Sequence, residues 1–234
     1  MQFQRSISSI CIKVCIFIYI LNLLHACSIA GENEGIIEYD IEFNEEERKK
    51  NEIIDLLPKT MKYYFKNKSA VSEISYMGVF RTAYISNFQD KTNTILFYFM
   101  PNKYYCTTNF GEKTIGYDPM PGIQLEETGE TKDIKGIKAY RVRVTFEDKS
   151  QEPYDVWYTK DFKVHNPNWH TPYKEINGVL LDYRIKMKGI SMHMTLNKFS
   201  EEVVDTAKFQ IQKSYKKVSP KEMDEIFDKH LNMF

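Results

Sequence analysis

Leu24-His25-Ala26-Cys27 is the first place in the chain where residue type and spacing specify a reaction. A Leu three residues before a Cys, with a small residue directly before that Cys, is the pattern at which bacterial lipoprotein maturation moves diacylglycerol onto the thiol and then cuts before it. On that reading the mature chain starts at Cys27 and hangs from a bilayer by its first residue. A second processing site competes: Ser28-Ile29-Ala30 offers the small residues an ordinary signal peptidase reads, and cleavage after Ala30 would release a soluble secreted protein.

Other chemically capable residues are sparse. Asp161, His165 and His170 share one loop and could make a weak metal site, although loop histidines are more commonly just solvated. His193 falls on the polar side of a predicted strand, and Cys106 on the apolar side of another, where a thiol is inert. There is no Gly-x-Ser-x-Gly elbow, His-Glu-x-x-His pair, phosphate loop or Cys pair at metal spacing. An enzyme, a resident cofactor and a structural metal therefore have little to rest on, and no catalytic residue is nominated.

The residues before Cys27 have the form of an export signal. Arg5 and Lys13 are the only charges up to residue 26, and 14–26 is an apolar run broken only by Asn22, short for a membrane span of about 20 residues. The 32 basic and 32 acidic residues of the whole chain cancel; without Arg5 and Lys13 the balance is 30 against 32, close to neutral. No basic stripe with interleaved aromatics appears, so nucleic acid is not an expected partner. Cys11 and Cys15 leave with the leader and Cys27 would be acylated, so Cys106 has no mate and no disulfide framework is expected. The organisation read from this is a lipoprotein signal peptide over 1–26, a short polar tether over 27–34, and one domain over 35–234.

Within that domain the strand period dominates. Ile37, Tyr39, Ile41 and Phe43 alternate with Glu38, Asp40, Glu42 and Asn44, a half-buried strand. A helix is expected over 45–57, stopped by Pro58. Strands follow over 61–66, 70–77, 79–88, 94–100 and 104–110, then a short one over 123–127, and others over 136–147 and 153–160. Residues 111–122 read as a loop and 165–173 as an irregular connection. The clearest hairpin sets Val179, Leu181, Tyr183, Ile185 and Met187 beside Ile190, Met192, Met194 and Leu196, with Gly189 at the turn. A strand near 209–211 precedes a helix that Ser219 and Glu222 cap around Pro220, with Met223, Ile226, Phe227 and Leu231 on one face.

Nine to eleven antiparallel strands with about two good helices predict a mainly β (α+β) domain: a curved antiparallel sheet forming an open or half barrel, its apolar side inward and the helices covering the mouth. Such an interior is either filled by side chains or left as a groove. Met61, Tyr140, Val142, Tyr183, Met187, Met192 and Met194 are the candidate cavity-lining residues, and the methionines among them would give a deformable wall suited to a flexible apolar ligand. The same methionines serve equally well as core filler.

Several segments carry a family resemblance: the leader, Gly35-Ile36-Ile37-Glu38-Tyr39, the run from Thr131 to Tyr140, Val156-Trp157-Tyr158-Thr159, and Ile176-Asn177-Gly178-Val179-Leu180-Leu181. Over about 35–199 the chain resembles envelope lipoproteins of the LolA-like class, and GLPGLI-type proteins share a similar order of segments. That resemblance implies an incomplete antiparallel barrel closed by helices, with a cavity that takes the acyl chains of lipoproteins or lipids. It also implies a lipid-anchored place in the cell envelope, at the outer membrane of a Gram-negative bacterium. The sorting chaperone of that class is soluble, whereas this chain carries an anchoring signal, so anchored acceptance or sensing fits better than shuttling.

Three functional classes stay open: an anchored binder of a hydrophobic or acylated ligand, an anchored structural or interaction module with a filled core, and, third, an enzyme. A lined cavity would favour the first and tight packing the second; clustered ionisable groups in a cleft would be needed for the third.

Overall fold

The computed structural model describes residues 33–50, 54–148, 151–162, 164 and 166–231. The leader, Cys27, the Ser28-Ile29-Ala30 site and most of the tether lie outside the described residues, as does His165. Twelve strands form one sheet: β1 (Glu34–Phe43), β2 (Thr60–Lys66), β3 (Ser69–Tyr76), β4 (Phe80–Asn87), β5 (Thr92–Phe99), β6 (Asn102–Asn109), β7 (Ile123–Ile134), β8 (Ile137–Phe146), β9 (Tyr154–Thr159), β10 (Val179–Met187), β11 (Ile190–Ser200) and β12 (Lys216–Lys217). Among the described residues two α-helices accompany them, α1 (Glu45–Lys50) and α2 (Pro220–Leu231).

The strand order is β12-β6-β5-β4-β3-β2-β1-β11-β10-β9-β8-β7. Two meanders, β1 to β6 and β7 to β11, thus meet where the first strand pairs with the eleventh, and only the β12–β6 pair is parallel. The sheet curves but does not close, so it is an open half-barrel, as the strand pattern implies. The alternation read in β1 sets its faces: Ile37, Tyr39, Ile41 and Phe43 are buried, and their neighbours are not. The β10–β11 turn is made by Lys188 and Gly189, both at positive φ (46° and 84°), the backbone that a two-residue hairpin requires.

One large core fills the concave side, joining Tyr84 and Phe97 of the first meander to Val142 and Phe146 of the second. Three segments occupy the hollow. The 110–122 connection crosses it: the Tyr84 hydroxyl donates to the Ile115 carbonyl (3.0 Å), and the Asp118 N–H donates to the Lys186 carbonyl (2.9 Å). The 160–178 connection is pinned by Asn168, whose Nδ2 donates to the carbonyls of Ile176 and Gly178 at 2.8 Å each. Finally, α2 lays the fully buried Met223 and Phe227 on the sheet, and its capping box is formed both ways: Ser219 N–H to Glu222 Oε2 at 2.7 Å, Glu222 N–H to Ser219 Oγ at 3.2 Å.

Four expectations need correction. Of the helix expected over 45–57, Glu45–Lys50 is helical and 51–53 lie outside the described residues, but Ile54–Leu56 is a single 3-10 turn, with Ile54 in the core and Leu56 exposed to solvent. The short strand expected over 123–127 is the first part of β7, which runs on to Ile134; an irregularity between Glu127 and Thr131, with Gly129 at φ 77°, keeps a polar edge strand paired with β8. The strand expected near 209–211 is instead a 3-10 turn at Thr206–Phe209, capped by Asp205, and the chain adds only the two-residue β12. Lastly, β2 to β5 are buried on both faces, since Val204, Phe209 and Tyr215 cover an outer cluster of Tyr64, Val71, Ala83, Ile85 and Leu96.

Candidate functional site

Antiparallel pairing gathers the ends of β1, β3, β5 and β10 and the starts of β2, β4, β6 and β11 at one end of the sheet, the mouth of the half-barrel. Two clefts open there. One, about 60 Å³, is bounded by Ile41, Phe43, Leu57, Phe80, Met187, Met192 and Phe227 among others, and presents almost only apolar atoms. The other, about 410 Å³, is lined by Glu42, Asp118, Tyr154, Arg184, Lys186 and His193 together with Phe43, Ile185 and Met192. Phe43 and Met192 are partners across β1 and β11 and belong to both clefts, so this one pair forms the wall between an apolar recess and a charged one.

The charged cleft is ordered by its own contacts. His193 and Asp182, on adjacent strands, approach to 2.7 Å (Nε2 to Oδ1), and Glu42 lies 3.9 Å from Nδ1 on the other side of the ring. The Arg184 guanidinium sits 4.9 Å from the centre of the Tyr154 ring, a cation–π contact. Asp118 accepts from the Gly189 N–H at 2.7 Å, which fixes the hairpin turn at the rim. Beside it, the Lys188 ammonium bridges Asp224 (2.6 Å) and Asp228 (2.8 Å) of α2, tying the helix to the hairpin. Those two carboxylates hold the Lys188 pKa above its usual value against the opposing effect of burial, and Lys188 in turn lowers that of Asp224.

The seven residues nominated from the sequence are placed in three groups. Met187 and Met192 line the apolar cleft, and Met192 the charged one as well. Met61 and Tyr183 border a separate interior chamber of about 30 Å³. Met194 and Val142 are packed in the core at 1% exposure each, and Tyr140 is half-buried beside Tyr158 (ring centres 5.6 Å apart) beneath the ammonium groups of Lys138 and Lys160. Sequence reasoning missed Phe43, Phe80 and Phe227 as walls of the apolar cleft and Arg184, Lys186 and Tyr154 as lining of the charged one. Phe43 and Phe227 could have been found, since both lie on apolar faces whose ends meet at the mouth.

Of the loop residues considered for metal, Asp161 is exposed and His170 is buried among the rings of Tyr84, Tyr117 and Trp169, with centres 5.5 to 6.1 Å away. Among the described residues no three His, Cys, Asp or Glu side chains gather as a metal site would need. Cys106 is buried at 1% exposure and its thiol pKa is raised, first by burial. Burial lowers the His170 pKa from its ordinary 6.5 to about 4. The neutral form is therefore required in the fold, while the unfolded chain takes up a proton near pH 6.5. Stability should accordingly fall as pH drops from about 6.5 and level off near 4, by about 3 kcal/mol in all. Denaturant titrations over that range should show the slope, and His170→Phe should remove most of it; an unchanged acid limb in the variant would place the effect elsewhere.

No family model and no curated protein matches the chain. Among solved structures, the chain is similar to PNGF-II at 13% identity and a TM-score of 0.50, over 82% of this chain and 32% of that one. The chain therefore spans about a third of that protein's length. LprF from Mycobacterium bovis (14% identity, 73% of this chain and 88% of that one, TM-score 0.28) and a putative outer membrane lipoprotein-sorting protein domain from Vibrio parahaemolyticus (8%, 75% and 88%, TM-score 0.19) superpose only loosely. What the similarity to PNGF-II supports is a fold, an open, curved antiparallel sheet that matches part of that protein.

Proposed function

We propose that this chain is an envelope lipoprotein, anchored through Cys27 at the outer membrane of a Gram-negative bacterium, that binds an amphiphilic or acylated ligand at the mouth of its half-barrel and performs no catalysis. The observation that carries the reading is the Phe43–Met192 wall, which sets an apolar recess directly against a charged one. A hydrophobic end entering beside Met187 and Ile190 would leave a polar head within reach of Arg184, Lys186 and His193. The rim supports the same reading. Seven large apolar side chains are exposed among the described residues, and five of them, Leu56, Tyr76, Met77, Val79 and Met100, stand at this one end. Met77, the most exposed of the five at 81%, and Met100 occupy neighbouring turns held together by the Met100 N–H donating to the Val79 carbonyl (2.9 Å). Apolar patches of this kind mark contact sites. The resemblance of the sequence to LolA-like lipoproteins adds weight to an acylated ligand. At about 60 Å³ the apolar cleft takes only the end of a chain, and a longer one would enter as α2 yields.

A second reading rests on how full the hollow is. Three chain segments pack it and leave a chamber of about 30 Å³, far below the roughly 300 Å³ of ordinary ligand pockets, as an interaction module with a filled core would have. One experiment separates the two. The protein expressed from Ser28 is extracted with organic solvent for mass spectrometry and then titrated with a fluorescent acyl probe. The binder reading expects a stoichiometric amphiphile or saturable probe binding, weakened about tenfold or more by Ile190→Asp and less by Arg184→Ala. Absence of both from well-folded protein would leave the interaction module. Anchoring is checked separately: labelled fatty acid should enter the wild-type chain and not Cys27→Ala.

A further inference from the structure

We propose that the interior chamber behind the mouth is a binding site for one water molecule, held by Tyr63 and His170 as a permanent part of the core. The chamber, about 30 Å³, is bordered by Tyr39, Tyr63, Tyr117, Tyr183, Ser72 and His170, among others. Its walls mix these polar groups with the apolar side chains of Met61, Val179, Leu180 and Ile185, in a half-barrel interior that is otherwise apolar. Tyr63 and His170 are each 6% exposed, and among the described residues neither the Tyr63 hydroxyl nor His170 Nδ1 has a hydrogen-bond partner. Leaving two such groups unmet costs far more than ordering a solvent molecule between them, so buried polar atoms facing one cavity are normally bridged by water.

Size and charge choose the ligand. The chamber, at about 30 Å³, offers two to three times the roughly 10–15 Å³ of accessible space that a water molecule needs, and the two unpartnered groups can share a single one. An ion of either sign is disfavoured, because the same surroundings hold His170 neutral and push the Tyr39, Tyr63 and Tyr183 hydroxyls away from ionisation. The donor and acceptor pattern suits a neutral bridging molecule. The Tyr63 O–H donates to the water oxygen, and the water donates to His170 Nδ1, which must then be the unprotonated nitrogen, with the proton on Nε2. Tyr39 does not compete, since its hydroxyl already donates to the Leu180 carbonyl at 2.7 Å.

Two measurements on the purified protein test this. A crystal structure at about 1.5 Å or better should show one peak in the chamber within hydrogen-bond distance of both Tyr63 Oη and His170 Nδ1. In parallel, Tyr63→Phe, His170→Phe and the double variant form a cycle read from unfolding equilibria. Partners of one shared water should be non-additive by about fivefold in the folding constant, the second substitution costing less once the first has freed the water. An unoccupied chamber, density that fits an ion, or full additivity of the two substitutions would each overturn the assignment. Because neither residue lines the mouth clefts, amphiphile binding can fail while this site stands, and the reverse.

Discussion

Met192→Asp should leave little folded protein. The Met192 side chain is 8% exposed, lies opposite Phe43 on β1 and Ile185 on β10, and forms part of the wall between the two mouth clefts. A carboxylate there would be placed among apolar atoms of Ile41, Phe43 and Phe227, in a cleft whose lining offers one side-chain hydroxyl, that of Thr82. Stripping an unpaired carboxylate of water costs more than about 4 kcal/mol, a large share of the 5–15 kcal/mol that holds a typical domain together. The expected result is aggregation on expression, or a loss of most of the unfolding free energy in denaturant titrations. His193→Ala, one position along the same strand, is the control. Its ring is 38% exposed and its bond to Asp182 is a surface pair, so the cost should stay within about 1 kcal/mol. Soluble Met192→Asp protein with an unchanged midpoint would mean that β11 presents its other face to the core.

Phe227→Ala should destabilise by about 3–5 kcal/mol while opening the apolar cleft. The ring is fully buried, sits 4.8 Å from Phe97, and is the main contribution of α2 to the cleft wall beside Met187 and Met192. Truncation removes its transfer free energy and leaves a hole that the surrounding sheet can only partly collapse into. Because the lining is apolar, that hole should stay dry and take a benzene-sized probe, as engineered apolar cavities do. Calorimetry should therefore show a lowered Tm that rises again when the probe is added. The Lys188 bridge to Asp224 and Asp228 and the Ser219–Glu222 cap remain, so the helical signal in circular dichroism should be retained. A loss below about 1 kcal/mol would show that α2 is not packed on the sheet in solution.

The residues of the mouth show how far local pattern carries. The β10–β11 hairpin was legible because Val179 to Met187 and Ile190 to Leu196 alternate with charged or polar neighbours and because Lys188-Gly189 can adopt positive φ. The α2 cap was legible because Ser219, Pro220 and Glu222 act within one helical turn. Less so were β2 to β5, where Tyr63-Tyr64-Phe65, Ala83-Tyr84-Ile85 and Ile95-Leu96-Phe97 are unbroken apolar runs; these mean two covered faces, and the second cover comes from Val204, Phe209 and Tyr215, far along the chain. Asp161 and His170, near one another in sequence, differ in environment because the core draws the imidazole in and leaves the carboxylate in water.

By itself, then, the order of residues determined the strand-rich class, the faces of most strands, the terminal helix and the expectation of a leader over 1–26 that ends just before Cys27. These rest on short-range rules, a period of two, a cap or a turn, that act over a few residues. Only the tertiary structure decided that the two meanders join at β1 and β11, that segments 110–122 and 160–178 fill the hollow, and that Phe43 and Met192 divide an apolar cleft from a charged one. The contacts that decide them reach across the chain, 31 positions from Tyr84 to Ile115, 68 from Asp118 to Lys186 and 149 from Phe43 to Met192. No local periodicity encodes them; the balance between burying apolar surface and satisfying the groups buried with it does.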